Sequence, residues 1–274
     1  MDLLTGTVSV SVSASVSVPV SSAVHESLLA LHPDLWRGHQ FGRHAQPSRP
    51  SGFAPLDAQL PGGGWPCRAL TELLLPHPGV GEIRLLSPCL AATQRAGRPV
   101  MLFDPPAALS GWALAQLGLA VEQLLVIVTR APGRPTRETH TRAGAASLDA
   151  RLWALEQALK SGQVGAVLAW LPPQLRTERL RRLQLAAQAH DGVAFVLREM
   201  AASQRPSAAP LRLALHSGGA DVLAVRLLKR RGPPLEGALQ LTLPAVLSRS
   251  ARQRARQGLP QAQVLRPATF VSLV

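Results

Sequence analysis

Between residues 51 and 232, short apolar runs alternate with stretches in which Leu recurs every three or four positions. Apolar runs bounded by Gly and Pro read as buried strands, and the three-and-four spacing reads as one face of a helix. Strands are therefore expected at 69–75, 100–103, 123–128, 164–171 and 193–197. Helices are expected at 82–95, closed by Gly97, and at 111–117, 145–161 and 175–190. In the helix at 145–161, Leu148, Leu152, Leu155 and Leu159 share a face. The runs 211–215 and 222–228, joined by His216-Ser217-Gly218-Gly219, read as an antiparallel hairpin at the sheet edge. This alternation predicts a doubly wound, right-handed α/β domain with a mostly parallel sheet.

The two ends of the chain lack this pattern. Residues 5–22 alternate Val with Ser, a strand-like pattern of low complexity that has no evident partner strand. They lack the basic start and unbroken apolar run of a signal peptide. Residues 1–47 are expected to form a poorly ordered extension, from which Trp36 and Phe41 anchor on the core. Residues 48–235 form the expected core and 236–274 a basic tail for interaction, in which 239–247 is apolar enough to dock.

Charge sharpens that division. The chain has 29 Lys and Arg against 16 Asp and Glu, a net charge of +13. Residues 1–174 are near balance, with 13 basic and 11 acidic side chains, whereas 175–274 carry 16 against 5. An excess confined to the last third suggests a polyanionic or acidic partner. Two isolated cysteines, Cys67 and Cys89, make neither a disulfide framework nor a metal pair and favour a reducing compartment. The eight histidines are scattered, so neither metal nor cofactor is expected. No apolar run is long enough for a membrane span, and a cytoplasmic location is expected.

The most informative chemistry is missing chemistry. After the strand at 69–75, Pro76-His77-Pro78-Gly79-Val80-Gly81-Glu82-Ile83-Arg84 stands where a phosphate loop would open a helix. Such a loop needs a Lys for the outer phosphates and a hydroxyl for Mg²⁺. Here Glu82 occupies the Lys position and Ile83-Arg84 replace the hydroxyl pair; the chain's two lysines, Lys160 and Lys229, lie far away. A carboxylate there repels a triphosphate. The strand at 164–171 ends in Val167-Leu168-Ala169-Trp170-Leu171-Pro172, with no acid to hold Mg²⁺. No G-x-S-x-G motif is present, and Asp57, Glu72, Asp104 and Glu199 are spread out with nothing to pair them. Glu72, alone in an apolar strand, needs a partner such as an Arg or backbone amides. No catalytic residue is assigned and no enzymatic activity is expected.

These segments resemble a RecA-type nucleotide-binding core with degenerate motifs. The Gly-Phe-x-x-Leu-Asp lead, the Gly62-Gly63-Gly64 turn, residues 101–127 and residues 154–172 match its order of elements. Among RecA/SulA-like proteins, the lead SGFAPLDAQLPGGGWP, the helix LRRLQLAAQ (180–188), FVLRE (195–199) and the 210–232 segment are most similar to the ImuA family. That resemblance implies a RecA-like three-layer core and a non-catalytic accessory of a DNA-damage-induced translesion synthesis complex, part of the SOS response. The implied partners are a Y-family polymerase homologue of the ImuB type, RecA, and an error-prone C-family DNA polymerase reached through the complex. The alternatives are direct DNA binding by the basic last third, and a SulA-like cell-division inhibitor.

Three basic clusters are candidates for contact. Lys229-Arg230-Arg231 leave a strand and would meet DNA phosphates or an acidic partner, or merely keep an edge soluble. In 248–256, Arg249, Arg252 and Arg256 would share one helical face, with Arg254 away from it. Arg176, Arg179, Arg181 and Arg182 read as the solvated face of an amphipathic helix. The remaining candidate, Gly79, Gly81 and Glu82, is a vestigial phosphate loop.

Overall fold

The computed structural model describes residues 47–129 and 142–248, apart from 233, 234 and 236, together with 250 and 253. The expected N-terminal extension, with Trp36 and Phe41, lies outside the described residues, as do Arg249, Arg252, Arg254 and Arg256. A lead comprising β1 (Ser48–Arg49), the short α1 (Ala54–Asp57) and β2 (Trp65–Pro66) precedes the main sheet. β1 and β2 pair antiparallel. The core then runs β3 (Leu70–Leu75), α2 (Glu82–Arg95), β4 (Val100–Phe103), α3 (Gly111–Gln116) and β5 (Leu124–Ile127). It continues through α4 (Arg142–Lys160), β6 (Ala166–Trp170), α5 (Thr177–Gln188) and β7 (Val193–Glu199). It ends with β8 (Leu211–Gly219), β9 (Val222–Lys229) and β10 (Leu239–Thr242).

The sheet order is β10-β9-β8-β3-β7-β6-β4-β5. The strands from β8 to β5 are mutually parallel, while β9 runs antiparallel to β8 and β10 to β9. The predicted hairpin is present, but it is not at the edge, because β10 pairs along Val222–Val225. The apolar stretch read from sequence as a docking segment thus supplies the outermost strand.

Strands buried on both faces send alternate side chains into opposite layers. In β6, Ala166, Leu168 and Trp170 join the layer of α2 and α3, whereas Val167 and Ala169 join that of α4 and α5. The result is the RecA-like three-layer α/β core. Trp65 of the lead meets Phe195 of β7 edge-to-face at 5.3 Å, fixing the lead on the α2 side. Gly97, at φ 72°, follows the last turn of α2 and donates its N–H to Gln94, as its predicted role as a helix stop requires. On α5, Leu180, Leu183, Ala186 and Ala187 make the buried face, and Leu185 lies on the exposed side. Among the described residues, no helix is long and apolar enough to cross a membrane.

Candidate functional site

The loop after β3 lies at the carboxyl edge of the parallel strands, where α/β sheets hold their ligands. The Gly79 N–H donates to both carboxylate oxygens of Glu82, at 2.8 Å to Oε1 and 3.1 Å to Oε2. The Gly81 N–H donates to Oε2 at 3.1 Å. Glu82 is the first residue of α2 and is only 3% exposed. In a phosphate loop such amides cradle an anion, helped by the positive end of the helix. Here the chain supplies the anion itself. Glu82 does more than repel a phosphate: its carboxylate uses the donors that a phosphate would need.

The loop is also covered at Gly81, whereas Pro76, His77, Pro78 and Gly79 are exposed. Gly81 has φ 126°, and a Cβ built on it would lie 2.7 Å from Leu243 Cδ1 and 3.5 Å from Leu223 Cδ1. Arg84, one turn into α2, secures that cover. Its Nε donates to the Pro244 carbonyl at 2.8 Å, and its Nη2 donates to Asp221 Oδ1 at 2.6 Å and to the Leu243 carbonyl at 3.3 Å. Arg84 thus ties the loop helix to the β8–β9 turn and to the segment that follows β10.

The acids that looked unpaired in the sequence find structural partners. Glu72 on β3 accepts from Arg198 Nη1 on β7 at 2.7 Å and from Arg212 Nε on β8 at 2.6 Å. All three side chains are buried. Arg198 also donates to the carbonyls of Pro172 and Pro173, just past the strand end where a Mg²⁺-holding acid would stand, and Arg212 donates to the Ala202 carbonyl. Burial pushes the Arg198 guanidinium below its ordinary value. Asp104, fully buried at the end of β4, accepts from the Thr129 N–H and Oγ1, both at 2.7 Å, and meets Arg151 Nε at 2.5 Å. Asp57 accepts from the Ser51 N–H at 2.8 Å, and Glu199 is exposed. Sequence reading called for a partner at Glu72 but could not name Arg198 or Arg212, which the parallel sheet brings from far along the chain.

Cys67 and Cys89 are buried thiols. Burial raises both, Cys89 to about 12, which suppresses the reactive thiolate. Among the described residues, no group of three or more His, Cys, Asp or Glu is placed to hold a metal ion.

The predicted basic contacts separate. Lys229 Nζ donates to the Ser207 carbonyl at 3.0 Å, and Arg230 Nη1 donates to the Gln59 carbonyl at 2.5 Å and to its Oε1 at 3.1 Å. Arg231 is exposed. On α5, Arg179 pairs with Asp149 of α4, and Arg182 pairs with Glu156 at 3.1 Å, so part of the predicted solvated face braces two helices. Large exposed apolar side chains concentrate between residues 112 and 128. They are Trp112, Val121, Leu125, Val126 and Val128, the middle three on or leading into the outer strand β5.

No family model matches this chain. It is similar to the cell division inhibitor SulA of Edwardsiella piscicida, with 39% identity over 69 residues. That match covers 25% of this chain and 40% of the relative, so the chain spans well under half the length of the curated relative it matches.

Proposed function

We propose that this chain is a non-catalytic accessory protein of the DNA-damage response, an adaptor of the ImuA type within a translesion synthesis complex. The observation that carries this reading is the phosphate loop whose Gly79 and Gly81 amides are taken by Glu82 and whose Gly81 packs against Leu243. A RecA-like core closed in this way retains its surfaces and gives up turnover. The partial likeness to SulA supports a role in the SOS response. The exposed apolar side chains on β5 support action through protein contacts, because an apolar outer strand invites pairing with another chain. The partners in this reading are a Y-family polymerase homologue of the ImuB type, RecA, and, through them, an error-prone C-family polymerase. Arg249, Arg252, Arg254 and Arg256 form the docking element of the basic tail.

The test pairs nucleotide binding with co-purification. Full-length protein and Glu82→Lys are both expected to show no ATP binding, because restoring the Lys neither frees Gly81 from Leu243 nor supplies a Mg²⁺-holding acid. Full-length protein is expected to retain the polymerase homologue, and Gln at the four tail arginines is expected to weaken that retention. ATP binding by the unmodified chain at micromolar levels would refute the closed-loop argument. A SulA-like inhibitor would instead elongate undamaged cells on expression while retaining none of these polymerases.

A further inference from the structure

We propose that the amino edge of the sheet binds the phosphodiester backbone of a nucleic acid through Arg68 and Arg231. Parallel strands all begin at one edge, and β9, running antiparallel, ends there. The fold therefore brings Arg68, just before β3, to Arg231, just after β9. They line a cleft of about 360 Å³ together with Gln184 and Gln188 of α5 and with Ala208 and Pro210. Among the described residues no carboxylate lines it. Asp191 stands 3.8 Å from Arg68 Nη1, with both side chains largely exposed, a separation and setting that contribute little in water.

Arg68 and Gln184 are positioned without being used up. Arg68 sits at φ 57°, a conformation that is costly for a residue with a side chain. Its N–H donates to the His190 carbonyl at 3.2 Å and its Nε to the Gln188 carbonyl at 2.9 Å. Neither Nη nitrogen makes a hydrogen bond among the described residues. Gln184 Oε1 accepts from the Leu70 N–H at 2.9 Å, which leaves its Nε2 as a donor to the cleft. Arg231 makes no hydrogen bond or ion pair among the described residues, whereas its neighbours Lys229 and Arg230 hold Ser207 and Gln59. Two guanidinium groups flanking neutral amide donors match the oxygens of a phosphodiester, which guanidinium binds in bidentate fashion. The contact reads charge and not base, so it is sequence-blind. This inference is independent of the adaptor reading, since it concerns a different edge and a different ligand.

The test is fluorescence anisotropy of the full-length protein with a labelled thymidine oligonucleotide and, in a second arm, a labelled duplex, across a salt series. Arg68→Gln/Arg231→Gln is expected to weaken binding roughly tenfold or more. It should also flatten the salt dependence by about 0.7 per lost contact for the single strand, or about 0.9 for the duplex. The arm that shows the change identifies the form recognised. Arg231→Gln alone is expected to show about half the flattening, and it removes no hydrogen bond or ion pair among the described residues, so it serves even if the Arg68 variant is unstable. Arg176→Gln, at the opposite edge of the sheet, is expected to change nothing. No binding by the unmodified protein at low salt overturns the proposal. So does unchanged binding by Arg231→Gln and the double variant, or an equal loss in Arg176→Gln.

Discussion

Replacing Glu72 with Leu removes the carboxylate that two buried guanidinium groups share, and the structure sets the size of the effect. Arg198 keeps its bonds to the Pro172 and Pro173 carbonyls and Arg212 its bond to Ala202, but each loses its charged partner, at 2.7 and 2.6 Å. Breaking a buried ion pair by deleting one partner costs about 3–5 kcal/mol, because the remaining charge is stranded away from water. That is a large share of the roughly 5–15 kcal/mol that holds a domain together. With roughly 2–4 °C per kcal/mol for a domain of this size, the melting temperature should fall by about 6–20 °C. Replacing all three residues with apolar ones, Glu72→Leu, Arg198→Met and Arg212→Leu, should leave stability near or above the starting value, because no unpaired charge is then buried at that site. Urea unfolding followed by circular dichroism measures both variants. A loss below about 1 kcal/mol in the single variant, or an equal loss in the triple variant, would refute the account.

Two further predictions concern stability. His190 is fully buried, and burial, reinforced by Arg98, holds it below its ordinary value of 6.5. The unfolded chain takes up that proton as pH falls below 6.5 while the folded chain does not, so stability declines from there down to the folded pKa and is insensitive to His190 above. His190→Leu should flatten that decline in urea unfolding at neutral and mildly acidic pH, and an unaltered slope would show that other groups cause it. Gly81→Ala drives a methyl group into Leu243 and should cost about 1–3 kcal/mol, and Leu243→Ala should cost about 2–5 kcal/mol. The double variant should cost at least about 0.5 kcal/mol less than the sum, and strict additivity would show that the two do not meet.

The strands were legible as short apolar runs and the helices by apolar positions recurring every three or four residues, and α2 and β4 fall where those patterns place them. β10 was not. Leu239–Thr242 is four residues long with Leu and polar side chains alternating, and only its pairing with Val222–Val225 makes it a strand. The loss of the phosphate-loop Lys was plain from Glu82, and the backward reach of Glu82 to Gly79 follows a three-residue spacing that the sequence displays. Leu243 as a cover was illegible, because nothing local links it to Gly81. The same holds for Arg68, whose place beside Arg231 depends on β9 returning antiparallel to the edge where β3 begins.

The double closure of the loop also sets an order of folding. The bonds from Glu82 to Gly79 and Gly81 span three residues or fewer and form as soon as the first turn of α2 does. The bonds from Arg84 to Leu243 and Pro244 span 159 and 160 residues, contacts of the kind that form late. As a chain emerges from its N-terminal side, α2 is complete long before Leu243 exists. Throughout that interval Glu82 is the partner that the emerged chain already offers the loop amides, and the Arg84 contacts can only be added afterwards.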